Sequence, residues 1–380
     1  MAIRINDRFR PDQWCFYILW CTLMVGKGIG LDATDSVFRL MTAVGIAFAA
    51  AKLVLTQWNR SALISCVVIN LLGVLNFFIT GTASALLTCL VITAMKDVDL
   101  GKVFRLSFWI RAIAFAARVG LAMLGVMDKG VQYRWENGVM TTRYGLGYGH
   151  ANATQYTLFI IFALAILIYR ERLKWYHYLL MIGVNFLLFI YTDSRTGLLM
   201  IVLLVGLAFF MTTRRGSRWH KFLHFAASNA FWVGAVFSVV TALLSLRVGW
   251  LNEMGTLSAR FMTSRNIMLT HSVPIFGIEG ITTDFGYINI LYADGLLLWG
   301  LFIFGYTKLA SRLDTKSTLF EHVVLLCYGI YVLSEAYNDS VLMNVSLLLL
   351  PLLIYTPIDT YEIDPITNKI GYVGSVKNRS

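Results

Sequence analysis

Long runs of apolar residues, separated by short polar segments, extend over most of the chain. A run of about 20 apolar residues is long enough to cross the hydrocarbon core of a bilayer as a helix. Lipid offers no hydrogen bonds to peptide groups, so such runs must form helices. The pattern predicts twelve spanning helices, at 13–30, 37–56, 62–80, 82–95, 103–127, 152–169, 175–192, 196–213, 222–245, 286–308, 319–337 and 340–357.

The composition agrees with a membrane protein. Hydrophobic residues make up 58% of the 380 residues and charged residues 14%, and the mean hydropathy is +0.68. Soluble chains carry roughly 45–50% apolar and about 25% charged residues. A β-barrel would show alternating segments of about ten residues, whereas these runs are continuously apolar. We therefore expect an all-α fold, with one polytopic membrane bundle over 1–358 and a cytoplasmic tail at 359–380.

The charge pattern gives an orientation. The net charge of +11 comes from short basic clusters between apolar runs, which we interpret as membrane topology and not as nucleic-acid binding. With the N-terminus inside, the inside segments carry 19 Lys and Arg residues and the outside segments carry 7. Because such an excess marks the cytoplasmic side, both termini are predicted to be cytoplasmic.

Two predicted outside segments, 128–151 and 246–285, are much longer than the other loops. Long loops are usually functional. The second contains Trp250, Met254 and Phe261, among other apolar residues, so it is not a hydrophilic tether. We expect it to lie on the bundle as a lid or an amphipathic helix.

Arginine dominates the outside face, where it accounts for six of the seven basic residues. Its planar fork of donors suits phosphate and carboxylate groups. Arg195 is the sharpest candidate, because it lies in a tight outside turn between two apolar helices, against the topology rule. We predict that it binds substrate; the alternative is a surface residue paired with Asp193 or with lipid headgroups.

Four further arginines are candidates. Arg260 and Arg265 are five residues apart, so on a helix they point about 140° apart and only one of them would face a site. Arg111 and Arg118 share one face of a predicted helix, where charges usually face a cavity or a partner. Arg118 is nearer the outside and could form the wall of a polar cavity, or it could make a structural pair.

The candidate bases also lie outside. His150 follows three glycines at the mouth of a helix, and Asn152 beside it could cap that helix. Asp284 lies where the long segment returns to the membrane, so partial burial could raise its pKa. His271 lies in the same segment. The alternatives are that His150 only caps its helix and that Asp284 only pairs with Arg260 or Arg265.

Several chemistries lack their sequence motifs. We find no phosphate-binding loop, dinucleotide fingerprint, zinc HExxH or nucleophile elbow. The outside segments hold no dense acidic cluster for a divalent metal. We therefore predict no cofactor and no metal, and an arginine-rich outside site suited to an anionic, lipid-linked substrate.

Three motifs carry a family resemblance: RYGLGYGHANATQYTLF at 143–159, TDSRTGLL at 192–199, and ARFMTSRNIMLTHSVPIFGIEG followed by DFGYINILYADGLL within 259–297. With the twelve-helix plan and the long outside segment before the last three helices, they resemble the Wzy-type polysaccharide polymerases of the O-antigen ligase superfamily. Asp284 stands where ligases typically have His, which favours a polymerase. We also predict that Arg143, Asn152 and Tyr287, which lie in these motifs, contact substrate.

The resemblance implies a metal-independent, GT-C-like glycosyltransferase in the bacterial inner membrane, with its active site facing the outside. Its donor and acceptor would be glycans on undecaprenyl pyrophosphate, and its other partners would be membrane lipids and a chain-length regulator. Two alternatives stay open. One is an O-antigen ligase-type transferase with a different acceptor. The other is a flippase, which should show two similar halves that the sequence lacks.

Overall fold

The computed structural model describes residues 10–136, 139–213, 217–245, 247–248, 256–313 and 317–356. The predicted tail at 359–380, together with Trp250 and Met254, lies outside these residues. The helices are α1 Pro11–Gly28, α2 Ser36–Leu55, α3 Arg60–Thr80, α4 Ser84–Ala94, α5 Leu100–Met123, α6 Ala151–Tyr169, α7 Trp175–Thr192, α8 Arg195–Thr213, α9 Ser217–Leu244, α10 Thr256–Thr270, α11 Gly286–Asn289, α12 Leu296–Arg312, α13 Leu319–Tyr331 and α14 Leu350–Tyr355.

The helical membrane architecture is confirmed, whereas the number of twelve crossings is not. Within the described residues, seven helices are long and apolar enough to cross a bilayer: α2, α3, α5, α6, α7, α8 and α9. Helix α4 has 11 residues and is about 16 Å long, well short of a bilayer core of roughly 30 Å. All but its first residue are buried, so it packs inside the bundle.

The tenth and twelfth predicted crossings are broken. The run 286–308 contains a π-helical turn at Ile290–Asp294, and it breaks at Gly295, which has φ +90°. The run 340–357 contains a 3-10 turn at Val345–Leu349 followed by the six-residue α14. Neither run is therefore a single continuous helix.

The bundle has a buried centre and an apolar exterior. Helix α6 is buried along almost its whole length and packs against α5, α7, α8 and α13. The outer helices expose large apolar side chains such as Val54, Phe78 and Ile190. A soluble protein rarely exposes so continuous an apolar surface, so lipid is the natural surrounding of this one.

Two buried ion pairs tie helices together. Lys52 Nζ on α2 lies 2.6 Å from Asp12 Oδ2 on α1. Arg170, directly after α6, places Nη1 3.0 Å from Glu321 Oε1 on α13. Each pair holds two charges out of water, so removal of one partner would take away a charge that compensates the other.

The segment 128–151, predicted as a long outside loop, contains an antiparallel hairpin. Strand β1 Val131–Glu136 pairs with β2 Val139–Tyr144, with Gln132 opposite Arg143 and Arg134 opposite Thr141. Since alternate residues share a face and opposed residues lie on the same face, Arg134 and Arg143 project together. Tyr133 lies on the other face and is exposed.

The segment 246–285 contains α10, and this helix is docked on the bundle. Phe261 of α10 is buried, and its ring meets that of Phe285 at 5.6 Å in an edge-to-face arrangement. The chain then runs beside the π-helical turn, where the amide of Ile278 donates to the carbonyl of Tyr292 at 2.8 Å. This packing brings the predicted outside segment onto the end of the helices.

Candidate active site

One large cavity, of about 1270 Å³, opens at the end of the bundle where the predicted outside segments meet. Each of these segments contributes lining residues, which include Ala33, Thr82, Arg143, Arg195, Arg260, Asp284 and Ala336. Arg134 and Arg39 add further positive charge to the wall. We call this space the arginine cavity.

The hairpin supplies two of the arginines. Arg143 donates from Nε to the carbonyl of Thr192 at 2.9 Å and from Nη2 to Asn152 Oδ1 at 2.7 Å. Arg134 lies beside Asp193, with Nη1 3.9 Å from Oδ2. The hairpin is therefore fastened to the α7–α8 turn, and both guanidinium groups are held at the cavity wall.

A chain of polar contacts crosses the cavity floor. Asn152 Nδ2 donates to Glu335 Oε1 at 3.1 Å, and Arg260 Nη2 donates to the same oxygen at 3.4 Å. Arg260 Nε also lies 3.8 Å from Asp284 Oδ2. One carboxylate of the loop after α13 thus connects α6, at the centre of the bundle, with α10 of the docked segment.

Glu335 is the buried carboxyl of the site, with 3% of its surface exposed. Burial is the largest influence and raises its pKa from 4.5 to about 7, against the lowering effect of Arg260. Asp284 nearby adds to the increase. A carboxyl that titrates near neutral pH is suited to accept a proton from a substrate hydroxyl.

Asp284 lines the same cavity but is more open than the sequence suggested. Its side chain is 68% exposed, so the predicted partial burial is wrong. Its contact with Arg260 matches the structural alternative. Asp284 is therefore placed to meet a ligand or to orient Arg260.

His150 is the N-cap of α6, and its Nδ1 accepts a hydrogen bond from the amide of Asn152 at 3.1 Å. This assigns the proton of the neutral ring to Nε2, which is then a donor. Burial, helped by Arg143, lowers the pKa of His150, whereas Asp284 opposes the change. The arrangement favours a hydrogen-bond donor over a base at this position.

Asn152 differs from its alternative, whereas the contact of Arg195 with Asp193 matches the alternative given for Arg195. Asn152 does not cap the helix; its side chain bridges Arg143 and Glu335. Arg195 lines the cavity with its side chain 55% exposed, and its Nε lies 3.9 Å from Asp193 Oδ1. This loose ion pair leaves the guanidinium reachable from the cavity.

Four predicted site residues are not among the residues that line the arginine cavity. Arg265 points towards the carbonyl of Ser245. This agrees with the prediction that only one of the two arginines of α10 would face the site. His271 is exposed beyond the cavity. Tyr287 is fully buried and donates to the carbonyl of Gly329 at 2.8 Å, so it is a packing residue. Arg118 lines a separate, smaller pocket.

Glu335 and Arg134 are two cavity residues that we did not predict as site residues. Glu335 lies in a predicted membrane span, where an acidic residue is itself a signal of function. For Arg134, the signal is the Asn137-Gly138 dipeptide between two short strand-like runs, which is typical of a hairpin. Each signal could have been recognised from the sequence.

Within the described residues there is no group of three or more His, Cys, Asp or Glu side chains that could hold a metal ion. Comparison with family models, with curated proteins and with solved structures found no match to this chain. The fold and the cavity define a class of protein: a helical membrane protein with an arginine-lined cavity at one end. The resemblance to the Wzy-type polymerases stays a prediction.

Proposed function

We propose that this protein is a polysaccharide polymerase of the inner membrane, which joins glycan repeat units carried on a lipid pyrophosphate. The observation that carries the proposal is the joint presence of several arginines and one buried carboxyl, Glu335, in a single cavity. The arginines suit the pyrophosphate of the donor. Glu335 suits the acceptor hydroxyl.

The reaction needs two things from the protein. When the bond between the anomeric carbon and the pyrophosphate oxygen breaks, the oxygen keeps the electron pair and becomes more negative. Guanidinium groups at the cavity wall, such as those of Arg143 and Arg195, would stabilise that charge. At the same time the acceptor oxygen bonds to the anomeric carbon and loses its proton, which Glu335 would accept.

The remaining polar residues have supporting roles in this proposal. Asn152 and Arg260 hold the Glu335 carboxyl from opposite sides of the cavity floor. Asp284, which touches Arg260 and is open to the cavity, is placed to bind hydroxyl groups of a sugar. His150 can donate from Nε2 to an oxygen of either substrate.

The test is polymerisation by the purified chain in vesicles that contain lipid-linked repeat units, with the products separated on a gel. A ladder of lengths supports a polymerase. Transfer of the glycan to an acceptor without a lipid carrier would identify a ligase instead. Movement of the lipid-linked glycan across the bilayer without a new covalent product would identify a flippase.

Arg195→Ala is the informative variant, because the side chain of Arg195 is 55% exposed and its truncation removes little buried surface. Loss of one donor to a developing anion typically costs about 100-fold or more in rate. Arg60→Ala is the matched control, since Arg60 is exposed and begins α3 at the opposite end of that helix from the cavity residue Gly81. Ladder formation by Arg195→Ala at the rate of Arg60→Ala would remove Arg195 from the site.

A further inference from the structure

A second space of about 200 Å³ lies beside the arginine cavity. Its wall includes Lys27, Asp32, Arg111, Arg118, Tyr148 and His150, and we call it the basic pocket. Lys27 and His150 also line the arginine cavity, so the two spaces are neighbours. The volume is far above the roughly 10–15 Å³ that a single water needs.

Arg111 is the unusual residue of the basic pocket. It lies on α5 with 3% of its surface exposed, and its Nη2 is 3.9 Å from Met24 Sδ. Its Nε has no hydrogen-bond partner, and no ion pair joins Arg111 to a carboxylate among the described residues. A buried charge without a counter-charge is costly, and inside a membrane protein it usually marks a functional site.

The other charges of the basic pocket do not compensate Arg111. Arg118 donates to the carbonyls of Ile29 and Gly147, and its guanidinium lies 4.7 Å from the ring centre of Tyr148. Lys27 pairs with Asp32. Three cations and one carboxylate therefore leave an excess of two positive charges around the space. A phosphate or pyrophosphate group would balance this excess and give Arg111 a partner.

We propose that the basic pocket binds the phosphate groups of a second lipid-linked substrate, the acceptor of chain growth. This inference rests on the proposed function, because a polymerase must hold two lipid pyrophosphates at once. The arginine cavity takes the donor, and the basic pocket takes the acceptor on the other side of His150. A phospholipid headgroup offers the same phosphate chemistry and is the competing occupant.

The test counts the pyrophosphate ions that the full chain binds in detergent, by equilibrium dialysis with radiolabelled inorganic pyrophosphate. Wild type should bind two per chain, and Arg111→Met should bind one. Arg105→Met is the matched control on the same helix, because Arg105 is exposed and donates to the carbonyl of Gly101 within its own helix. It should still bind two.

A structural role for Arg111 predicts a different pattern of stability. Removal of a buried, uncompensated charge should raise the thermal midpoint of the ligand-free Arg111→Met chain, whereas loss of a structural contact would lower it. Arg111→Lys keeps the positive charge but lacks the planar fork of donors, so the affinity of this variant for pyrophosphate should fall about tenfold or more. This variant provides the test if Arg111→Met does not fold.

The outcomes separate the occupants. Unchanged pyrophosphate binding by Arg111→Met overturns the proposal. So does native mass spectrometry that shows one phospholipid retained by wild type and lost from Arg111→Met, because the pocket then holds a structural lipid. In vesicles, Arg111→Met should raise the half-saturating concentration of the lipid-linked repeat unit about tenfold or more. If wild type makes no polymer, the proposed function fails, whereas the binding counts still show whether the pocket takes phosphate.

Discussion

Glu335→Gln should make the folded chain more stable at pH 8 while it abolishes most of the activity. The pKa of Glu335 rises from 4.5 to about 7 in the folded chain, mainly because the carboxyl is buried. Between these values the folded state binds the proton and the unfolded state has lost it, so stability falls as the pH rises. Each pH unit in this window is worth about 1.4 kcal/mol.

The ionised carboxylate therefore costs the wild-type fold about 3 kcal/mol above pH 7, a cost that is absent below pH 4.5. Glutamine resembles the protonated acid and stays neutral at every pH. The variant and wild type should have equal thermal midpoints near pH 4.5, and at pH 8 the midpoint of the variant should be higher. Unfolding in detergent micelles at the two pH values measures this difference.

Activity should change in the opposite direction. As a base, Glu335 must be ionised, so wild-type polymerisation should rise with pH through about 7. Glu335→Gln should be slower by about 100-fold or more and should lose this rise. Glu279→Gln, an exposed change in the same outside region, should match wild type in both measurements. A Glu335→Gln chain that is less stable at pH 8, or that polymerises normally, would refute the reasoning.

Three further predictions test other parts of the structure. Arg195→Lys should recover less than about a tenth of the polymerisation rate that Arg195→Ala loses, because an ammonium group lacks the planar fork of donors. Full recovery would show that a positive charge is sufficient at this position. Arg170→Ala should destabilise the chain by about 3–5 kcal/mol by removing the guanidinium that is paired with the buried Glu321, and Arg170→Met with Glu321→Leu should restore most of the thermal midpoint. A thiol reagent should label Met262→Cys quickly and Phe261→Cys slowly, and equal rates would contradict a docked α10.

Periodicity and composition were sufficient for the regular helices. The predicted runs 152–169 and 175–192 match α6 Ala151–Tyr169 and α7 Trp175–Thr192 almost residue for residue. Such agreement is expected where a long apolar run is bounded by polar residues on both sides. The spacing of Arg260 and Arg265 was equally informative, because it predicted that one of the two would face the site.

The broken helices could not be predicted from the apolar pattern. The run 286–308 is mostly apolar, yet it breaks at Gly295, where a Cβ would lie 2.5 Å from the backbone of Phe276. The break depends on a segment about twenty residues earlier in the chain, whose Pro274 accepts a hydrogen bond from the amide of Leu296. Hydropathy cannot detect a contact of this kind.

The site was predicted in part. His150, Asn152, Arg143, Arg195, Arg260 and Asp284 all line one cavity, as their position in outside segments suggested. The base prediction ranked Asp284 and His150 above His271, and for Asp284 it rested on the family resemblance and on a chain position that suggested partial burial. Burial depends instead on packing around the loop after α13, which encloses Glu335 and leaves Asp284 exposed.

The hairpin has a consequence for how this part of the chain can vary. One residue added within β1 would move every side chain between the insertion and the turn to the opposite face of the hairpin. Such an insertion before Arg134 would move its side chain from the cavity to the surface. Residues added at 137–138, between the strands, would leave the pairing of Gln132 with Arg143 intact. Positions 137–138 are therefore suited to an epitope tag or a reporter, whereas a change of length within either strand would alter the charge of the cavity.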